Sequence, residues 1–376
     1  MRIFLLCRGY PSARQLYNYP FLHRRVVQYQ AYGHQVQVFV LGAGTGKRHF
    51  EGCSIETGDQ NAMQVALSRF APDCIAAHAL ADDMWAALSC TGINLPVYAW
   101  LHGSEMLPHY TTNFPDISDP RRQAQKQTYL RRKRFWRGLA DDWPPNLKLV
   151  FVSENAAERA LGSLGITLPN GRWCVIHNPI DTDLFNYQAK KPHHRFSVLS
   201  IRPFANWSYA NDLTAAAIIK MSKHPLFEHF SFRIIGDGDL FEEQLSPLFR
   251  FQNVTCERRF LTQSEISAIH KENGVFLVPT RMDTQGVSRD EAMSSGLVAV
   301  TNTVAAVSEF TDPDCACLVP AEDVNGLAES MLELAQNPAR FLALSQMSAR
   351  RVRRQTAANI IIPAELGLMA SGQCDA

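Results

Sequence analysis

The stretch Pro279–Gly296, PTRMDTQGVSRDEAMSSG, sets Asp283 and Glu291 eight positions apart with Gly286 between them. The preceding run GVFLVP (Gly274–Pro279) predicts a buried parallel strand, and Ser288–Ser295 predicts the first turns of a helix with Ser288 as N-cap. The first carboxylate then lies on a loop just past a strand, and the second one to two turns into the next helix. In an open α/β sheet, ligands bind outside the carboxyl ends of the strands. Gly286 lets the backbone come close to a ligand, and the N–H groups at the helix start suit an anion such as a diphosphate. Two acids at this spacing also occur on ordinary solvated helix faces, so the rest of the chain has to support the reading.

The elements that must position these residues follow from the hydrophobic pattern. The N-terminal half alternates strand and helix: strands Arg2–Cys7, Gln35–Leu41, Pro72–His78, Pro96–His102 and Leu147–Ser153, with helices at Tyr19–Tyr32 and Asn61–Phe70. The second half repeats the rhythm with strands Phe196–Ile201, Ser231–Ile235, Asn253–Cys256, Gly274–Pro279 and Leu297–Thr301. This order predicts an α/β protein with doubly wound parallel sheets, and 376 residues predict two domains. His78, His102 and Ser153 each end an apolar run, which places them on the ligand edge; for His78 a surface or loop-capping role is the blander alternative. Arg202 falls just past a strand in FSVLSIRPF.

Together with HGSE (His102–Glu105), HNPID (His177–Asp181) and IIGDGDL (Ile234–Leu240), this pattern resembles the retaining glycosyltransferases of family four, the glycosyl transferases group 1, whose signature is Glu-x7-Glu. The resemblance runs from Arg2 to about Asn337, where Asp323–Asn337 matches the family's closing helix. It implies the GT-B fold: two Rossmann-like domains facing across a cleft, with residues 1–176 on the acceptor side, 177–352 binding the donor and a tail, 353–376, crossing back to the first domain. It further implies that His102 and Asp283 meet the donor sugar and that Arg202 pairs with the diphosphate, these three forming the catalytic set. Gly103, Gly286, Val287 and Ser288 would line the donor, and Glu291 would hold the ribose hydroxyls.

The chain departs from the family at several points. Asp283 replaces a glutamate, and Asp-Thr-Gln-Gly replaces Glu-Gly-Phe-Gly. The first loop, Arg8–Phe21, lacks a Gly-Gly pair and offers Arg8, Gly9 and Tyr17 instead. Trp207–Leu213 offers Ser208 and no lysine, so Arg281 is the candidate for the missing charge. Thr301–Phe310 has lost the glycines of the family's Gly-Gly-x-x-Glu loop. The activity implied is retaining sugar transfer from a nucleotide-diphosphate donor to a glycan or lipid-linked acceptor, without cofactor or metal, in bacterial surface polysaccharide or glycolipid synthesis. A catalytically degenerate GT-B binding protein and a sugar-nucleotide epimerase of the same fold are the alternatives.

Composition bounds the partners. A net charge of +1 argues against nucleic acid. Yet Arg121–Arg137 holds eight basic residues and no acidic one, interleaved with aromatics. This is a helix that packs its aromatics inward, or one that docks on an anionic membrane face. Nine scattered cysteines read as free thiols of a reducing compartment. No apolar run approaches the ~20 residues that span a bilayer, and MRIFLLC reads as a first strand rather than a signal. The expected location is cytoplasmic, with peripheral attachment to the inner face of the plasma membrane. Three Asp-x-Asp pairs (Asp181/Asp183, Asp237/Asp239, Asp312/Asp314) match the metal-binding pattern of other glycosyltransferases. Their hinge, turn and loop positions argue for local roles. His193 and His194 read as solvated.

Overall fold

In the first strand, Ile3, Leu5 and Cys7 point to one face of a sheet and Phe4 and Leu6 to the other, and all five are fully buried. A strand apolar on both faces belongs in the middle of a sheet covered by helices on both sides. A computed structural model of the chain describes residues 1–92 and 94–374 and bears this out. The chain divides into two compact units.

Unit 1 comprises Met1–His109, Gln123–Pro179 and residues 358–374. Its strands, among the described residues, are β1 (Arg2–Cys7), β2 (Gln35–Leu41), β3 (Gly46–Phe50), β4 (Cys53–Gly58), β5 (Cys74–His78), β6 (Val97–Leu101), β7 (Leu147–Phe151) and β8 (Trp173–Val175). They lie in the order β3-β4-β2-β1-β5-β6-β7-β8, parallel except for the β3–β4 hairpin. Unit 2 comprises Tyr110–Arg122 and Ile180–Ala357. Its strands are β9 (Ser197–Ile201), β10 (Ser231–Gly236), β11 (Val254–Arg258), β12 (Val275–Leu277), β13 (Val298–Asn302) and β14 (Ala316–Val319), all parallel, in the order β11-β10-β9-β12-β13-β14. That is the 3-2-1-4-5-6 arrangement of a doubly wound sheet, with its topological switch point between β9 and β12.

The last helix, Ala358–Ser371, belongs to unit 1. It buries Ile361, Ile362, Leu366 and Met369 in one cluster with Ile3, Tyr29 and Trp100. Glu365 enters the same interior fully buried and bonds Arg25 on the helix Pro20–Ala31. Past this helix, Cys374 is joined to Cys174 by a disulfide. This corrects the reading of all nine cysteines as free; the other seven are.

The basic helix Pro120–Asp141 turns its aromatics inward: Trp136 is fully buried and its Nε1–H donates to the Glu105 carbonyl. Lys133 and Arg137 donate to the carbonyls of Ser163 and Leu164, at the C-terminal end of the helix Glu154–Leu164. Cations there satisfy orphan carbonyls and complement the helix dipole. Arg122 and Arg132 also bond carbonyls, and Arg121 and Arg131 pair with Asp119 and Asp82. Most of the basic run is thus tied to the protein's own oxygens. No helix among the described residues is long and apolar enough to cross a membrane.

In unit 2, His270 is buried against Phe185 and Phe276 and shares a hydrogen bond with Ser295 Oγ. Burial, reinforced by Lys190, pushes its pKa down to about 3. The unfolded chain, with an ordinary histidine near 6.5, then binds more protons than the native state between those values. Stability must therefore fall as pH drops below about 6.5, by up to ~1.4 kcal/mol per pH unit for this group. Urea unfolding at pH 7 and pH 5 should show the loss, and His270→Gln should flatten it; equal pH slopes in both proteins would refute the assignment.

Candidate active site

The loops leaving β9 and β12 flank the switch point of unit 2, and they are stapled together. Thr280 Oγ1–H and the Arg281 N–H both donate to the Ser208 carbonyl. From β13, Asn302 brackets the Thr280 peptide: its Oδ1 accepts the Thr280 N–H and its Nδ2 donates to the Thr280 carbonyl. On this frame Arg202 sits one residue past β9, buried, with its guanidinium 5.2 Å from the Tyr209 ring. Its Nε has no hydrogen-bond partner, and among the described residues no carboxylate lies within ion-pair distance. Burial draws its pKa below the ordinary arginine value, and the charge of Asp283 opposes that shift.

Gly236 and Gly238 make room for this loop. A Cβ on Gly236 would lie 1.8 Å from the Arg202 carbonyl oxygen, and one on Gly238 would lie 2.3 Å from the Phe204 carbonyl carbon. The Gly-x-Gly turn after β10 therefore serves to let the Arg202 loop press against it, and Asp237 between the glycines pairs with Arg258. The other Asp-x-Asp pairs are equally local. Asp181 caps the turn at Asp183 and Leu184, and Asp312 accepts the Asp314 N–H and pairs with Arg351. Among the described residues no group of three His, Cys, Asp or Glu is arranged to hold a metal ion.

Asp283 stands half-buried on the loop after β12, where its Oδ1 accepts the Gln285 N–H at 3.2 Å. The helix that follows runs Val287–Ser294, and its N-cap is Gly286 at φ 97°, not Ser288. The expected serine cap gives way because the chain enters the helix through a left-handed residue, which glycine adopts without Cβ strain. Val287, Ser288 and Glu291, all half-buried, lie on the first turns of this helix. Beneath Gly286 lies a group the sequence did not single out. The Arg289 guanidinium is buried, bonded to Asp290 and to the Gln285 carbonyl, and a Cβ on Gly286 would meet it at 2.8 Å.

Gly286→Ala should therefore cost the ~1–2 kcal/mol of a left-handed non-glycine residue and a further contact penalty. Gly33→Ala, with similar φ and open space around it, supplies the control for backbone strain alone. Equal losses for the two in urea unfolding would show that Arg289 does not close the space under Gly286.

Arg281 takes a different task from the one expected. Its Nε and both terminal nitrogens bond Asp212, Glu322 and the Trp207 carbonyl, which engages all five of its N–H groups. It braces the loops rather than presenting a cation to a ligand. Neither carboxylate was visible as its partner in the sequence, since they lie 69 and 41 positions away. Segment Tyr110–Arg122 also joins unit 2 here, with Ser208 Oγ bonded to Asn113 Oδ1 at 2.5 Å.

Arg202, Asp283, Gly286, Val287, Ser288 and Glu291 thus share one edge of one sheet, and that sheet carries the sequence match. Residues 197–337 match the family model of the glycosyl transferases group 1. That part of the chain is similar to the glycosyl transferases group 1. A search of curated proteins found no match in sequence. Solved structures of similar fold include sucrose-phosphate synthase from Thermosynechococcus elongatus (16% identity, 99% of this chain and 98% of that one, TM-score 0.76). Anabaena HepE in complex with UDP and glucose is another (15%, 98% and 99%, TM-score 0.68). A third is an α,α-trehalose-phosphate synthase (UDP-forming) from Burkholderia vietnamiensis (13%, 98% and 97%, TM-score 0.69). At these identities the likeness is one of fold, and that fold is GT-B.

Its unit 1 contains the other two expected site residues. His102 follows β6, with its ring 4.4 Å from that of Phe21 and its Nε2 3.1 Å from His78 Nδ1. Gly103, at φ 117°, takes a backbone conformation that side-chain-bearing residues rarely adopt. Buried Glu105 accepts the His102 N–H with both carboxylate oxygens, so the acid of the His-Gly-x-Glu element shapes the turn that carries His102. Of the first-loop candidates, Arg8 pairs with Asp83, and Gly9 admits Asn18, which a Cβ would meet at 2.3 Å.

Proposed function

We propose that this chain transfers a sugar, with retention at the anomeric carbon, from a nucleotide-diphosphate donor to a glycan or lipid-linked acceptor. The observation that carries the reading is the buried Arg202 guanidinium, which makes no ion pair among the described residues yet feels the charge of Asp283, at the switch point of the donor-type sheet. In this reading Arg202 meets the diphosphate and stabilises the charge that grows on it as the glycosidic bond breaks. Gly286 and the helix start behind it admit the phosphates. Asp283 orients the sugar, Glu291 takes the ribose hydroxyls, and His102 is assigned to the sugar by the His-Gly-x-Glu element. The acceptor attacks from the face the phosphate leaves, and the leaving phosphate takes the acceptor's proton. Guanidinium and helix-terminus charge stand where other glycosyltransferases use a divalent cation, so no metal is required.

Bacterial surface polysaccharide or glycolipid synthesis is the setting the resemblance points to. A lipid-linked acceptor would bring the segment Arg121–Arg137 to an anionic membrane face, with Lys126, Arg131, Arg134 and Arg137 as exposed charges. One observation favours a second reading, a GT-B protein that binds without turnover: Arg281, the candidate for the absent lysine, is fully engaged elsewhere.

Thermal shift against UDP-, GDP-, ADP- and CMP-sugars and the free nucleotides, without added metal, separates these. UDP-sugars come first in the panel, since HepE is a structural neighbour solved with UDP and glucose. Stabilisation by one sugar nucleotide, followed by product in an acceptor screen, supports transfer. Binding with no product across the screen favours the second reading, and no shift at saturating concentrations refutes the donor site.

A further inference from the structure

His78 closes β5 at the switch point of unit 1, and the proposed chemistry gives it no task. Its side chain has no exposed surface. Its ring stacks on Trp100 (centroids 5.1 Å apart, planes 19°) and on His102 (5.4 Å, 14°). The stack follows from strand alternation: Cys74 and Ala76 precede His78 on one sheet face, and Tyr98 and Trp100 precede His102 on the same face. His78 Nδ1 and His102 Nε2 are 3.1 Å apart, so one of these nitrogens carries the proton and the other accepts it.

The surroundings decide which. Arg25 and Tyr29 face this region from the helix Pro20–Ala31, Glu365 faces it from the helix Ala358–Ser371, and Glu105 lies in the turn after His102. Arg25 is fully buried, paired with Glu365 at 2.9 Å, and its Nη1 has no partner. His78 Nε2 is also buried without a partner. Burial, with the field of Arg25, holds both imidazoles well below the ordinary histidine pKa, so both are neutral at pH 7. A proton on His78 Nε2 would aim a bare N–H into a buried region that already holds the Arg25 cation. A lone pair there is favoured by the same field, which puts the His78 proton on Nδ1.

We propose that His78 is a positioning residue for His102: its Nδ1–H donates to His102 Nε2, which places the His102 proton on Nδ1 and stacks the ring in a fixed orientation. An unrestrained imidazole prefers its proton on Nε2, so this contact selects the less common tautomer. The consequence for turnover rests on the reading of His102 as a sugar contact; the tautomer itself does not.

Long-range 1H–15N spectra of the full chain with 15N-labelled histidine test this, with His102→Gln identifying the signal. His102 is expected as the Nδ1–H tautomer in the wild type. His78→Phe keeps a ring in the stack but removes the donor, and it should shift His102 to Nε2–H. His78→Asn, whose amide N–H can stand where Nδ1–H was, should restore it. In turnover, His78→Phe should lower kcat about tenfold to a hundredfold at unchanged donor KM, the scale of losing a group that orients a functional histidine, with recovery in His78→Asn. An Nε2–H tautomer in the wild type overturns the proposal even if His78→Phe does not fold. So does a folded His78→Phe protein whose His102 spectrum is unchanged. The spectrum needs no substrate, so absence of transferase activity would overturn the functional reading alone.

Discussion

Arg202→Lys is expected to leave the melting temperature nearly unchanged and to lower kcat by about a hundredfold to a thousandfold, the usual cost of removing one preorganised donor from a developing negative charge. The two halves of that expectation have different causes. The fold should tolerate the change because Arg202 is not a brace. Its Nε has no partner, and among the described residues its guanidinium makes no ion pair. Its guanidinium stacks on Tyr209 and its N–H bonds the Ile235 carbonyl, and lysine retains the second contact. Chemistry should not tolerate it, because a flexible ammonium cannot reproduce a planar fork on a diphosphate. Arg281→Lys gives the contrast. It breaks the pairs to Asp212 and Glu322 and should lower stability more than it alters the chemical step. Initial rates and melting temperatures of both proteins decide the matter, and unchanged kcat in Arg202→Lys would remove Arg202 from the reaction.

The contrast between these two arginines also marks where sequence reading stops. Arg202 was legible because it follows the strand-like run Phe196–Ile201, and the end of such a strand is fixed by local pattern. Arg281 follows a similar run, but its partners at Asp212 and Glu322 come from distant turns that no periodicity connects. The same division holds across the fold. Strands buried on both faces were read to within two or three residues at their ends. The hairpin Gly46–Phe50/Cys53–Gly58 was not, because its two-residue turn is Glu51-Gly52, both at positive φ, where Asn-Gly is the familiar signal. The strand Ala316–Val319 was missed too, being only four residues long and half cysteine and alanine. Membership of Tyr110–Arg122 in unit 2 rests on contacts between residues distant in sequence, such as Asn113 with Ser208. Such contacts leave no trace in composition. The serine expected to cap the helix after Asp283 lost to a glycine because the chain enters the helix through a left-handed residue seated over the Arg289 guanidinium.

A second large effect is expected far from the donor loops. Glu365→Ala should destabilise the protein by about 3–5 kcal/mol, the cost of leaving a buried charge without its partner. Arg25 and Glu365 are both fully buried, joined at 2.9 Å, and Glu365 also accepts the Tyr29 hydroxyl at 2.5 Å. Arg25 donates as well to Asn178, the residue before Pro179 at the end of that stretch of unit 1. Removing the carboxylate strips Arg25 of its counter-charge where the guanidinium has no solvent exposure. Removing both charges is a smaller insult: Arg25→Met with Glu365→Leu should recover most of the loss, because apolar packing often matches a buried ion pair in stability. Urea unfolding of the two single variants and the double closes the cycle, and additive losses would show that the pair is not coupled. The pair also explains why the terminal helix belongs to unit 1. A chain ending at Ala357 would expose Ile3 and Trp100 and leave Arg25 unpaired at once, so it should fail to fold unit 1 rather than merely lose a tail.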